Sequence, residues 1–158
     1  EQRSIGQSIR NLVRSGIVPV LNENDVISDR EIQTMDAGIS ENDRLTFLLC
    51  AIVNPSYVLS ITSTGGVFDR FPCTEQAKMY LELDTKNLPL DLTESEEKST
   101  VGTGGMFRKI IELSKCCEQG CRVGIASWQE DGILRFAKGE SVGTILGNQN
   151  RLGEGYSG

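Results

Sequence analysis

Four short apolar runs rich in β-branched residues punctuate the chain: IVPVL at residues 17–21, YVLSI at Tyr57–Ile61, RVGIA at Arg122–Ala126 and VGTIL at residues 142–146. Runs of this length and composition read as buried strands. The stretches between them carry helical periodicity instead. Strand and helix in alternation predict an α/β fold with a mostly parallel sheet. In such sheets, ligands gather where strands end and helices begin.

The helical stretches can be placed from their apolar spacing. Residues 3–15 predict a helix with Ile5, Ile9, Leu12 and Val13 on one buried face and Gly16 as its stop. Residues 41–53, ENDRLTFLLCAIV, are apolar nearly all round and predict an interior helix with Asn42 or Asp43 at its N-terminus. A third helix is expected from about Gly104 to Gln119, with Met106, Ile110, Leu113 and Cys117 on one stripe and Lys109 at its flank. QEDGILRFAKG predicts a short fourth helix. VFDRFP, at residues 67–72, reads as the start of a small hairpin. Residues 84–101 are acidic and rich in Ser and Thr, an exposed connection. Residues 147–158 lack periodicity and read as a tail, which leaves residues 1–146 as one domain.

Composition narrows the chemistry. The chain has 158 residues, a net charge of −6 and no histidine. An acidic chain lacks the concentrated basic face that nucleic acid requires. Without imidazole there is no histidine-based triad. No apolar run reaches the ~18 residues of a membrane span. No cationic-then-apolar leader opens the sequence, so the expected location is the cytoplasm. Five cysteines, an odd number without framework spacing, read as reduced thiols. Cys116, Cys117 and Cys121 cluster in sequence, but no fourth ligand stands at zinc spacing. They read as buried thiols at a helix end.

Four polar segments fall at predicted strand ends or helix starts. In Gly102 to Lys109, small residues open a helix whose first N–H groups are unpaired, with an ammonium one or two turns on. That combination suits phosphate, and it equally suits a glycine turn capped by Thr103 with Lys109 in solvent. It is not a Walker A loop, since no Gly-Lys-Ser/Thr follows. NEND (Asn22 to Asp25) and ENDR (beginning at Glu41) offer the amides and carboxylates that a zwitterionic amino acid needs. Caps and turns are the commoner use of such residues. TSTGG (Thr62 to Gly66) reads as a turn, with hydroxyls able to face a nucleotide.

Read in order, GIVPVLNENDVIS, ISENDRLTFLLCAIV, YVLSITSTGGVFD, VGTGGMFRK and GESVGTIL resemble the glutamate 5-kinase branch of the amino acid kinase family. The likeness covers nearly all of residues 4–146. It implies a three-layer α/β/α sandwich. It also implies transfer of the ATP γ-phosphoryl group, with Mg²⁺, to the side-chain carboxylate of L-glutamate. The product would be L-glutamyl 5-phosphate, first intermediate toward proline. By position in the family's motifs, Asn22, Asp25 and Asn42 would contact glutamate, and Asp43 would orient the lysines around the phosphoryl group. Thr62 and Ser63 would lie beside the nucleotide. Thr103, Gly104, Gly105, Met106 and Lys109 would cover its phosphates, with Lys109 and Asp43 as the catalytic pair. Residues 26–40 match the region that senses substrate and feedback proline, and the family assembles as homo-oligomers. Glu41 and Ser63 each stand where the family usually has Asp. The family's opening strand, with its second phosphate lysine, has no counterpart here, so turnover by this chain alone is not expected. The other reading consistent with these residues is a non-catalytic amino-acid-binding or regulatory domain on the same fold.

Overall fold

The computed structural model describes residues 2–22, 41–70, 75–92, 104–128 and 131–147. Its helices are α1 (Gln2–Arg14), α2 (Glu41–Val53), α3 (Gly104–Glu118) and α4 (Gly132–Ala137). Its strands are β1 (Tyr57–Ile61), β2 (Val67–Phe68), β3 (Met79–Tyr80), β4 (Glu82–Asp84), β5 (Arg122–Ala126) and β6 (Thr144–Gly147). The main sheet runs β1-β5-β6-β4, and β2 and β3 form a separate antiparallel ribbon. β1 pairs with β5 in parallel from Tyr57↔Arg122 to Ile61↔Ala126, and β4 pairs with β6 in parallel. β5 and β6 are antiparallel.

This is a three-layer α/β/α arrangement. Alternate residues of β5 face opposite layers. Val123 and Ile125 join the buried cluster with Ile110, Leu113, Cys116 and Cys117 of α3 and Cys50 of α2. On the other face, the Arg122 guanidinium lies 4.8 Å from the Phe136 ring of α4 and donates to the Phe136 carbonyl at 3.1 Å. A Cβ at Gly124 would fall 2.6 Å from Phe136, so only glycine lets α4 sit this close. Fully burying a side chain the size of Ile110 or Leu113 stabilises by about 1.5–3 kcal/mol, and both are essentially inaccessible. α3 therefore anchors the helical layer.

The first predicted strand is not one. Residues 17–21 take no regular structure and pair with nothing among the described residues. Val18 and Val20 are 84% and 92% exposed. Pro19 removes a ladder donor from the middle of the run, and strand propensity without a neighbouring strand buries nothing. The face expected of α1 is likewise only partly covered. Ile9 is buried and Ile5 half-buried, while Leu12 and Val13 are exposed. α1 rests on α2, where Arg10 donates to the Ile52 carbonyl at 3.0 Å.

β6 begins at Thr144, two residues later than its apolar run, and includes Gly147. Residues 84–92, expected as exposed connection, begin in β4 and send Leu88 and Leu92 into the core. Asp25, Thr103, residues 26–40, residues 93–101, Cys73 and residues 148–158 lie outside the described residues.

Candidate functional site

Two short connections set the geometry of the site. Residues 54–56 join α2 to β1, and residues 119–121 join α3 to β5. Each reverses the chain, so each helix runs opposite to the strand it feeds. The N-termini of α2 and α3 therefore lie at the same rim of the sheet as the C-terminal ends of the parallel strands β1 and β5.

At that rim Asp43 and Lys109 meet. Asp43 is the third residue of α2 and Lys109 the sixth of α3. The Lys109 ammonium donates to Oδ1 of Asp43 across 66 residues of sequence. A carboxylate in the first turn of a helix is favoured by the partial positive charge there. The Asp43 side chain is 9% exposed and that of Lys109 23%. The acid is thus sequestered, while one side of the ammonium stays accessible. The buried carboxylate fixes the position of the cation that it partners.

The other predicted residues sort by element. Asn42 is exposed at the start of α2, its carbonyl accepting from the Thr46 hydroxyl at 2.9 Å. Gly104 opens α3, a Cβ at Gly105 would meet nothing within 4 Å, and Met106 packs against the core. Backbone at the head of α3 is therefore open to close approach, with the unpaired N–H groups of a helix start. Asn22 is exposed at the end of the irregular segment after α1, not at a strand end as expected.

Thr62 to Gly66 forms a tight turn at the same rim. The Thr62 N–H donates to the Ala126 carbonyl at 2.9 Å, tying the turn to the end of β5. The Thr62 hydroxyl accepts from the Gly65 N–H at 3.2 Å and contacts the Thr64 hydroxyl at 3.2 Å. Thr62 is thus built into the turn, and Ser63 is exposed. Gly65 has φ +75° and Gly143 φ +64°, and a Cβ on Gly143 would fall 2.7 Å from the Gly65 carbonyl oxygen. Glycine is required at both positions because they combine a left-handed backbone with close approach.

Sequence reasoning gave no role to Thr144. It is fully buried, and its hydroxyl accepts from the Val67 N–H at 2.8 Å and donates to the Tyr80 carbonyl at 2.6 Å. It pins the ribbon to the sheet just beyond the turn. The only sequence signal is the Gly-Thr pair, a turn glycine entering a strand. Nearby, Tyr80 donates to Asp91 at 2.7 Å, and burial together with that carboxylate pushes its hydroxyl up to about 12. The cysteines cluster away from this rim, around the α3–β5 connection, with Cys50 Sγ 3.1 Å from Cys121 Sγ. Burial raises all four described thiols above their ordinary range. Among the described residues, no group of three His, Cys, Asp or Glu is arranged to hold a metal ion. No helix among them is long and apolar enough to cross a membrane.

A model of the amino acid kinase family matches residues 2–127. The glutamate 5-kinase of Hydrogenovibrio crunogenus is 30% identical over 141 residues, covering 88% of this chain and 36% of that protein. The glutamate 5-kinase of Methanosarcina mazei is 32% identical over 145 residues, covering 90% and 37%. The chain thus spans little more than a third of the length of these curated relatives. The crystal structure of uridylate kinase from Archaeoglobus fulgidus superposes with a TM-score of 0.50 at 18% identity, covering 92% of this chain and 79% of that one. At that identity the likeness is one of fold.

Proposed function

This chain belongs to the amino acid kinase family, and from that premise we propose that it is part of a glutamate 5-kinase. Such an enzyme moves the γ-phosphoryl group of ATP to the side-chain carboxylate of L-glutamate and yields L-glutamyl 5-phosphate, the first step toward proline. The observation that carries the reading is the Asp43–Lys109 pair at the rim where α2 and α3 begin.

A carboxylate nucleophile needs no general base, so a chain without histidine can serve. The reaction needs in-line placement and positive charge on the oxygens of the moving group. Lys109 supplies such a charge, and Asp43 holds its ammonium in place. Open backbone at Gly105 suits the donor's phosphates, while Asn42, Asn22 and Asp25 suit the ammonium and carboxylate of the amino acid. Mg²⁺ would be held by the nucleotide's phosphate oxygens and by water. When bound, it neutralises phosphate charge.

The test is ATP-dependent formation of glutamyl hydroxamate from L-glutamate and hydroxylamine by the whole enzyme that contains this chain, since the chain alone is not expected to turn over. Lys109→Met should lower the rate by ~10²–10³, the usual cost of losing one transition-state donor. The Asp43→Asn/Lys109→Met double variant should be as inactive without stranding a buried carboxylate. An unchanged rate in Lys109→Met would refute the role of the pair. Phosphorylation of another acceptor in preference to glutamate would refute the substrate while keeping the kinase.

A further inference from the structure

We propose that Trp128 is the platform on which the nucleobase of the phosphoryl donor stacks. The proposal rests on the kinase reading above and extends it to the end of the nucleotide remote from Lys109.

The placement follows from contacts already described. β5 ends at Ala126, whose carbonyl binds the Thr62 N–H at 2.9 Å. The next residue, Ser127, packs on the turn: a Cβ at Gly65 would lie 3.1 Å from Ser127 Cβ. Trp128 follows directly, so its indole leaves the chain at the ligand-side rim beside Thr62 to Gly66. It is 71% exposed. The other strongly exposed aromatic among the described residues, Tyr57, opens β1 and so lies at the opposite end of the sheet.

An indole left in water is a large apolar surface with a polarised π face, and planar heteroaromatics stack on it. Among the described residues the rim otherwise offers hydroxyls, backbone amides and an ammonium, which suit sugar and phosphates, and the 41% exposed Ile61 at the end of β1, which is apolar but has no π face. Trp128 provides an exposed aromatic face at that edge. Stacking reads a base by its face rather than its hydrogen-bonding edge, so adenine and guanine should be held with similar strength by this contact.

Trp128 is the single tryptophan of the chain, so its emission reports one site. ATP, titrated into the full 158-residue chain with Mg²⁺, should change that emission saturably. Inorganic tripolyphosphate should compete with ATP yet leave the emission almost unchanged. Trp128→Ala should raise the ATP dissociation constant ~5–100-fold, the usual range for loss of one stacked base, with tripolyphosphate affinity intact. Trp128→Phe should restore most of the loss. Calorimetric ATP binding with unchanged emission, and with full affinity in Trp128→Ala, would overturn the proposal and leave the kinase reading standing. Absence of binding by both ATP and tripolyphosphate would overturn the proposal, and the hydroxamate assay of the whole enzyme then decides the kinase reading. Emission that shifts with protein concentration alone would assign the indole to a contact between copies, and that too would overturn the proposal.

Discussion

Residues 17–21 and β5 are both five-residue apolar runs that follow a helix, yet β5 is buried along its whole length while Val18 and Val20 are 84% and 92% exposed. The helix stops before them are alike. After α1, Gly16 N–H bonds the Val13 carbonyl and Ile17 N–H the Leu12 carbonyl, both at 3.0 Å. After α3, Gly120 N–H bonds Cys117 at 3.0 Å and Cys121 N–H bonds Cys116 at 3.2 Å. Each is the paired bonding of a Schellman stop. The local signals thus match, and the difference lies in what each run meets. β5 lies between β1 and β6, with α3 on one face and α4 on the other. The earlier run has Pro19 at its centre and no paired neighbour among the described residues. Apolar composition makes burial favourable; long-range partners make it happen.

The largest effect expected from this contrast is in β5. Ile125→Ala removes buried methylenes from a position with no accessible surface and should cost about 2–5 kcal/mol, read as a lower urea midpoint at unchanged slope. A loss below about 1 kcal/mol would mean that β5 is not the packed centre of the sheet.

A smaller effect should appear at alkaline pH. Burial pushes Cys117, in the last turn of α3, and Cys121, on the α3–β5 connection, up to about 12 from an ordinary 9.0. In the unfolded chain these thiols lose their protons first, so ionisation favours unfolding. Their contribution is complete below about 9 and disappears as pH rises toward about 12. Tyr80, also held near 12, adds a loss of the same sign. Urea midpoints measured across this range should fall, and a Cys117→Ala/Cys121→Ala variant should fall less steeply. Equal slopes in the two proteins would show that the thiols are already accessible in the folded state.

What the sequence revealed follows the same division. α2, β1, α3 and β5 were legible because their apolar patterns are long or unbroken. The antiparallel return of β6 was not. Strand–helix–strand alternation suggests a parallel crossover, but six-residue α4 spans only about 9 Å at 1.5 Å per residue. That is too short to carry the chain back along β5, so β6 starts at the rim where β5 ends. β3 and β4 have two and three residues and no periodicity to read. They depend on Thr144 and on pairing with β6. At the site, Asp43 read alone was a helix cap and Lys109 a solvated lysine. Their pairing across 66 residues leaves no mark in local pattern, and only the family resemblance suggested a shared task. The exposure of Trp128 was equally invisible, because nothing in its neighbours tells whether an indole after a strand turns inward.

The smallest effect sharpens the contrast most. Val20→Ser removes apolar surface that is already in water. It should change stability by no more than about 0.5 kcal/mol, the usual range for surface substitutions. The identical change at Val123, with no accessible surface, replaces one buried methyl with a hydroxyl needing a partner and deletes the other, so its cost should be several-fold larger. Residual structure in the unfolded chain shifts such values by a few tenths of a kcal/mol, too little to blur the two outcomes. Amide exchange provides an independent reading: the Val20 and Leu21 N–H groups should exchange early and those of Val123 and Ile125 only on global opening. If Val20→Ser proves as damaging as Val123→Ser, something in solution covers residues 17–21. The two runs would then differ in which partner buries them rather than in whether they are buried.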